Sequence, residues 1–188
     1  ETTVTDRAHY TPGPATATIQ KKDGDQWTLV LVRDLRHAPD RVWQALTDPA
    51  ELREWAPFDA DGNLGATGAH VKLTTVGAPQ PHVTETTITR AEAPTLLEYD
   101  WGGSAMRWEL AATANGGTRL TLWASIDRRY IAMGAAGWHL CLDVMDHLLA
   151  SAPIGRIVGP DAMAFEGWRR LNAEYAKQFG IETPRGWA

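Results

Sequence analysis

The sequence predicts an α+β domain in which a long C-terminal helix lies across a curved antiparallel β-sheet. Three observations support this fold class. Residues 15–36 and most of residues 58–127 alternate between apolar and polar side chains and are divided by turn residues, as antiparallel strands are. Two short helical segments separate these β regions. Residues 135–151 then change to a helical period.

The composition is that of an acidic, globular protein. With 188 residues, of which 44% are hydrophobic and 22% charged, the chain fits one folded domain with extensions. The formal net charge is −5 and the basic residues are scattered, which excludes a protein that reads nucleic-acid phosphates. Nine tryptophans against three phenylalanines are unusual, and tryptophan suits the wall of a partly polar cavity as well as a core.

The beginning of the chain predicts an arm followed by a β-hairpin. Residues 1–14 are polar, end in Thr-Pro-Gly-Pro, and are predicted to be a flexible arm. The hairpin of residues 15–36 turns at Gly24, because glycine readily adopts the positive φ that tight turns need. In its second strand, Leu29, Leu31 and Arg33 lie on one face, and Val30, Val32 and Asp34 lie on the other.

The segment DRVWQALTDPAELREWAP, residues 40–57, predicts two short helices separated by Thr-Asp-Pro. Asp48 is a good N-cap for the second helix, and Pro49 suits its first position. Helices this short are unstable alone, so contacts with the rest of the fold must hold them. Trp43 and Trp55 are the predicted anchors.

Five strands are predicted after these helices, near residues 69–76, 82–91, 95–101, 104–114 and 118–127. Each has one apolar and one polar face, so the sheet is predicted to be solvated outside and packed inside. The long helix is predicted to cover the inner face with Trp138, Cys141 or Leu142, Met145, and Leu148 or Leu149. A further helix over residues 160–179 carries an aromatic stripe, and it either folds back on the domain or forms a dimer.

Several short motifs occur in a characteristic order. They are Val42-Trp43, Leu46-Thr47-Asp48-Pro49, Leu52 and Trp55, then Glu92-Ala93-Pro94, Leu97, Tyr99 and Trp101, and finally Met106-Arg107-Trp108-Glu109-Leu110, Gly117-Thr118-Arg119-Leu120-Thr121-Leu122, Gly137-Trp138 and Leu142. In this order and spacing they resemble the SRPBCC (START-like, helix-grip) superfamily, specifically the group named for the activator of the ninety-kilodalton heat-shock-protein ATPase. The resemblance covers roughly residues 26–150.

The resemblance implies a helix-grip fold, in which a curved antiparallel sheet of the seven-stranded type wraps around the long C-terminal helix and leaves a deep cavity. Two short helices after the first core strand would close one end, with Trp43 in the packing and Trp55 nearer the mouth. The predicted domain covers residues 15–151, and residues 152–188 form a C-terminal extension with an additional helix. The superfamily binds lipids, polyketides and plant hormones. The chaperone activator itself uses a separate N-terminal domain, for which residues 1–25 are no substitute.

Strand parity predicts which side chains face the cavity. The predicted ligand-binding residues are Trp55, Thr84, Thr86, Tyr99, Trp101, Met106, Trp108, Leu142 and Met145. His82 has the same parity as the two threonines and is a candidate polar group of the cavity. Together these side chains would form an aromatic, methionine-lined pocket for a flat, mostly apolar ligand. The alternative is that they fill the space completely and leave a solid core.

Few residues point to catalysis or metal binding. His139, Asp143 and His147 share a helix face, but this face is predicted to be solvated, with His–Asp pairs rather than a metal site. Cys141 is predicted to be a buried, inert thiol, and Glu109 to point outward. No nucleophile elbow, phosphate loop, metal or cofactor is predicted.

The leading hypothesis is a single-domain SRPBCC protein that binds a small apolar or aromatic molecule between the sheet and the C-terminal helix. A cyclase- or hydrolase-type enzyme using the same cavity is the alternative, and it needs a buried titratable group such as His82 or Glu109. A third hypothesis is a protein-interaction module related to the heat-shock ATPase activator. We expect a monomer or homodimer in the cytoplasm without a nucleic-acid partner or a membrane span.

Overall fold

The alternating segments of the sequence form two antiparallel sheets. The structure is a computed structural model, and it describes residues 7, 9–77, 80 and 82–182. In these residues the strands are β1 (Thr18–Gln20), β2 (Gln26–Leu35), β3 (Phe58–Ala60), β4 (His70–Thr75), β5 (His82–Thr87), β6 (Arg90–Glu92), β7 (Leu96–Trp101), β8 (Ser104–Ala112) and β9 (Thr118–Asp127). One sheet has the order β1-β2-β9-β8-β7-β6, and β3-β4-β5 form the other.

The helices of the described residues are α1 (Pro39–Thr47), α2 (Pro49–Trp55), α3 (Ile131–Leu149), α4 (Pro160–Ala164) and α5 (Glu166–Phe179). Both short helices after β2 begin with a proline, whose missing N–H is not needed in the first turn. The Asp48 carboxylate accepts a hydrogen bond from the N–H of Ala50 at 2.9 Å and so caps α2, as predicted. The long helix α3 lies across the inner face of the large sheet, which confirms the predicted α+β helix-grip fold.

The strands follow the predicted ones except in three places, one of which is the short strand β3, which was not predicted. The predicted hairpin forms, but β1 has only three residues. The predicted strand over residues 82–91 is wrong as a single element, because the chain crosses there from the small sheet to the large one. Ile88 N–H bonds to the Ala69 carbonyl beside β4, and Thr89 N–H bonds to the Glu98 carbonyl of β7. The strands therefore belong to two adjoining sheets rather than to one sheet of the seven-stranded type.

Of the two tryptophans of the short helices, Trp55 is the more deeply buried one. Trp55 is 1% exposed, its Nε1 donates to the Ala45 carbonyl at 3.0 Å, and its ring meets Trp108 edge to face at 6.1 Å. Trp43 is only half-buried. The prediction that Trp55 lies nearer the mouth is therefore wrong: Trp55 is the buried anchor that joins both short helices to the core.

The C-terminal extension folds back on the domain, which is one of the two predicted outcomes. The predicted single helix over residues 160–179 is interrupted at Phe165, whose backbone is extended, and so becomes α4 and α5. The stripe of α5 packs on α3 and is buried at Trp168, Leu171, Tyr175 and Phe179. Because α5 covers the side of α3 that faces away from the sheet, α3 is buried on nearly all sides.

The predicted flexible arm, residues 1–14, lies partly outside the described residues. Its described end belongs to a strap, residues 10–17, that lies against α5. Arg170 donates to the Pro12 carbonyl at 2.5 Å, and the Tyr175 hydroxyl accepts two backbone N–H groups of the strap at 3.2 and 3.3 Å. Within residues 10–14 the carbonyls of Pro12 and Gly13 both accept hydrogen bonds from Arg170, so this end of the arm contacts α5 through its backbone.

Candidate ligand-binding cavity

A cavity of about 620 Å³ lies at one end of the grip, between the large sheet, the first half of α3 and the C-terminal extension. Its lining residues from the sheets and nearby loops are Gln26, Pro57, Thr75, His82, Trp101–Ser104 and Ser125–Asp127. Those from the start of α3 are Tyr130, Met133, Gly134, Gly137, Trp138 and Cys141. Those from the extension are Ile157–Gly159, Ala162, Met163 and Trp168.

Aromatic side chains hold each other in place along this cavity. The rings of Trp101 and Trp138 meet edge to face at 6.0 Å. Phe58 supports Trp101 at 5.1 Å, and the buried Trp108 supports Trp138 at 5.6 Å. Such contacts restrict the ring orientations, so the aromatic wall is already formed without a ligand.

Two glycines of α3 determine where the space opens. A Cβ atom at Gly134 would lie 2.7 Å from Cδ1 of Ile126, so this glycine lets the helix approach β9 closely. A Cβ atom at Gly137 would meet no atom within 4 Å, because this position faces the cavity. Glycine in a helix costs stability relative to alanine. Here the missing side chain leaves room beside Trp138.

Polar groups lie together at the sheet side of the cavity. Ser104 Oγ donates to the Ser125 carbonyl at 2.5 Å, and Ser125 Oγ donates to Oε1 of Gln26 at 3.1 Å. Asp127 forms an ion pair with Arg129 at 2.9 Å, and this hydrogen-bonded partner lowers the pKa of the Asp127 carboxyl to about 2. The cavity therefore combines an apolar wall with one polar edge.

The structure divides the predicted ligand-binding residues into three groups. Trp101 and the candidate polar residue His82 line the cavity. Six others are buried in the core and do not line it: Trp55, Tyr99, Met106, Trp108, Leu142 and Met145. Thr84 is half-buried, and the hydroxyl of Thr86 accepts the N–H of Asp100 at 3.3 Å, next to Trp101.

Strand parity was sufficient to predict inward-facing side chains but not empty space. In the centre of the grip the large side chains of α3 and the sheet fill the interior, as the solid-core alternative described. Space remains where α3 has small residues instead. The corresponding signal in the sequence is GAAGW, residues 134–138, which contains two glycines inside an otherwise apolar helix.

The candidates for acid–base chemistry are not buried. His82 is exposed at the start of β5. Glu109 points outward as predicted: 41% of its side chain is exposed, and its carboxylate pairs with Arg107. Burial raises the pKa of the Cys141 thiol to about 12, so this thiol is neutral near physiological pH.

The prediction that this face of α3 is solvated is wrong for His139. This side chain is only 2% exposed because α5 covers it, and Asp143 beside it is also largely buried. The third member of the face, His147, is half-buried and meets Tyr10 edge to face at 5.8 Å. Among the described residues, no three His, Cys, Asp or Glu side chains are grouped as a metal site requires.

His139 and Asp143 belong to a buried hydrogen-bond network. Tyr175 accepts two N–H groups of the strap and bonds to Nδ1 of His139 at 2.9 Å, which leaves Nε2 directed at Asp143, 3.6 Å away. The Asp143 carboxylate also binds Arg33 of β2 and the hydroxyl of Tyr10. Burial, and after it the positive charge of Arg33, lower the pKa of His139 to about 4.

None of the helices in the described part of the chain is both long enough and apolar enough to span a membrane.

Comparison with known proteins supports the fold at the level of the whole chain. EF2215 from Enterococcus faecalis, a conserved protein of unknown function, is 14% identical; the match covers 96% of each chain with a TM-score of 0.68. CalU16 from Micromonospora echinospora is 18% identical, and the match covers 88% of this chain and 95% of that one with a TM-score of 0.61. DynU16, described as a protein of the dynemicin biosynthetic locus, is 21% identical over 70% of this chain and 50% of its own, with a TM-score of 0.59.

At these identities the solved structures show the fold alone. No curated protein matches the sequence. The family model described as Activator of Hsp90 ATPase homolog 1-like protein matches residues 36–150, which is more than half of the chain. These residues include the two short helices, strands β3 to β9 and α3. The chain therefore belongs to the family of Activator of Hsp90 ATPase homolog 1-like proteins.

Proposed function

We propose that this protein binds a small, mostly apolar or aromatic molecule in the cavity beside Trp101 and Trp138. The observation that carries the proposal is the lining itself: about 620 Å³ of space with tryptophan, methionine and glycine on its walls and a small number of polar groups at one edge. Volumes of roughly 300–1,000 Å³ with this kind of lining are typical of small-molecule sites.

Each part of the lining has a role in this proposal. The faces of Trp101 and Trp138 supply apolar contact area, and Met133 can adapt its shape to the ligand. The hydroxyl groups of Ser104 and Ser125 would orient a polar substituent. The buried members of the predicted wall would hold these tryptophans from behind, as Trp108 does for Trp138.

Binding is favoured over catalysis by the exposure of the two acid–base candidates, His82 and Glu109. A group that transfers protons at a cavity normally has a perturbed environment there. The occurrence of DynU16, a protein of a biosynthetic locus, among proteins of the same fold is consistent with a small-molecule ligand.

The substitution Gly137→Leu tests the proposal because it places a side chain in the cavity beside Trp138 without removing any contact. Leucine also has a higher helix propensity than glycine by up to ~1 kcal/mol, so the variant is expected to fold and to be at least as stable. The matched control is Ala173→Leu, which adds the same side chain at an exposed position of α5.

The probe is 8-anilinonaphthalene-1-sulfonate, whose fluorescence rises in apolar sites. We expect the wild-type protein and Ala173→Leu to bind it equally and Gly137→Leu to bind it about tenfold more weakly or not at all. Equal binding by Gly137→Leu and the wild-type protein, with both fully folded by circular dichroism, would contradict the proposal. If Gly137→Leu does lose binding, native mass spectrometry of protein purified from its own host would identify the natural ligand by mass.

A further inference from the structure

One wall of the cavity lies outside the residues that match the family. The cavity-lining part of the extension, called here the closing wall, consists of Ile157–Gly159, Ala162, Met163 and Trp168. The family match ends at residue 150. The sheet and α3 provide the shared part of the site, and the extension completes it on the remaining side.

The first half of the closing wall is fixed to the family domain by two contacts. The Arg156 guanidinium donates to the Leu52 carbonyl of α2 at 2.9 Å and to Asp59 of β3 at 2.8 Å. The backbones of Gly77 and Gly159 meet so closely that a Cβ atom on Gly159 would lie 3.0 Å from Cα of Gly77. Side chains at these two positions would push the wall away from the end of β4.

The second half of the closing wall is fixed through α5. Trp168 is 4% exposed in the packing between α5 and the rest of the domain. The strap holds α5 from the other side, where the ring of Pro12 would lie 2.7 Å from a Cβ atom on Gly167. The strap therefore fixes α5 beside Trp168, and the buried indole is a closely packed boundary of the cavity.

We propose that the closing wall determines the size of the molecule that the cavity accepts, with Trp168 and Met163 as the selective side chains. This inference rests on the proposed function. Trp168 is the largest side chain of the wall, so replacing it enlarges the cavity at a place where the family domain contributes no atoms. Selection by a rigid wall acts through steric exclusion of molecules that are too long.

The experiment compares one short and one long aromatic probe, 2-naphthol and 1-pyrenebutanol, on the same protein preparations. Trp168→Ala is expected to weaken 2-naphthol binding, because a contact is lost, and to strengthen 1-pyrenebutanol binding, because space is gained. The ratio of the two dissociation constants is expected to change by about tenfold or more in favour of the long probe. Met163→Ala should change the ratio in the same direction by a smaller factor.

Using a ratio removes the effect of partial unfolding, since both probes report on the same folded fraction. The matched control is Trp123→Ala, which removes a tryptophan from the outer face of β9, where Arg107 stacks on it at 5.5 Å. Gly137→Leu must weaken both probes, which places them in the cavity. Loss of binding by Gly137→Leu together with an unchanged ratio in Trp168→Ala contradicts this inference alone. If the wild-type protein binds neither probe, the proposed function is contradicted, and this inference with it.

Discussion

Acid is expected to destabilise this protein through one buried side chain, His139. Its pKa is about 4 in the folded protein, against 6.5 for an ordinary histidine. The unfolded chain therefore takes up a proton on this residue at a higher pH than the folded protein does. The corresponding stability is fully present above pH 6.5 and is lost as the pH falls towards the folded pKa.

The magnitude follows from the difference between the two pKa values. Each pKa unit corresponds to about 1.36 kcal/mol, so the full difference is worth about 3 kcal/mol, of which about 2 kcal/mol is lost by pH 5. The physical causes are burial under α5 and the positive charges of Arg33 on β2 and Arg170 on α5, which outweigh the favourable carboxylate of Asp143. Protonation would also remove the Nδ1 lone pair that faces the Tyr175 hydroxyl.

The assay is urea unfolding of the wild-type protein and His139→Gln between about pH 7.5 and pH 4.5. Glutamine keeps an acceptor for Tyr175 but does not titrate, so the difference in unfolding free energy between the two proteins isolates His139. We expect the advantage of the wild-type protein to shrink by about 2 kcal/mol between pH 7.5 and pH 5. A difference that stays constant within about 0.5 kcal/mol over this range would refute the reasoning, because every other titrating group is shared.

Two further substitutions test the packing and the strap. Trp108→Ala should destabilise the protein by about 3–5 kcal/mol in urea unfolding, because it empties the buried centre of the grip. The outer-face control Trp123→Ala should cost less than about 1.5 kcal/mol. Similar losses from both substitutions would contradict the assignment of Trp108 to the core. Arg170→Ala should speed amide hydrogen exchange in residues 10–17, since the carbonyl of Pro12 loses its donor. Lys177→Ala on the same helix should leave that exchange unchanged, and equal effects of the two would show that the strap does not depend on Arg170.

The fold was predictable because its signals are local. Alternation of apolar and polar residues specifies a strand and its buried face without knowledge of its partner, and Met106, Trp108 and Leu110 are buried as this rule requires. The proline at the start of each short helix and the cap at Asp48 are likewise read from a few neighbouring residues. The strand predicted over residues 82–91 failed because its division depends on hydrogen bonds to two different sheets.

The surroundings of single residues were not predictable in the same way. A histidine on the polar side of an amphipathic helix is expected to be solvated. His139 is buried because α5 folds back over that side of α3, and its hydrogen-bond partner Tyr175 lies 36 residues further along the chain. The resemblance implied that Trp55 lies nearer the mouth, but its orientation depends on a carbonyl of α1 and on the ring of Trp108.

The cavity illustrates why a binding site of this kind leaves so little trace in a sequence. A site that works by shape is defined by where side chains are missing, and the decisive residue here, Gly137, has no chemical group to recognise. An inward-facing aromatic residue such as Trp108 looks the same in sequence whether it lines a space or fills one. The two cases differ in the residue that lies across from the aromatic ring, because a large side chain there fills the space and a glycine leaves it open. A glycine inside a helix that is otherwise well packed carries a cost in stability, and a position that retains this cost while facing empty space is the most informative sign that the space is used.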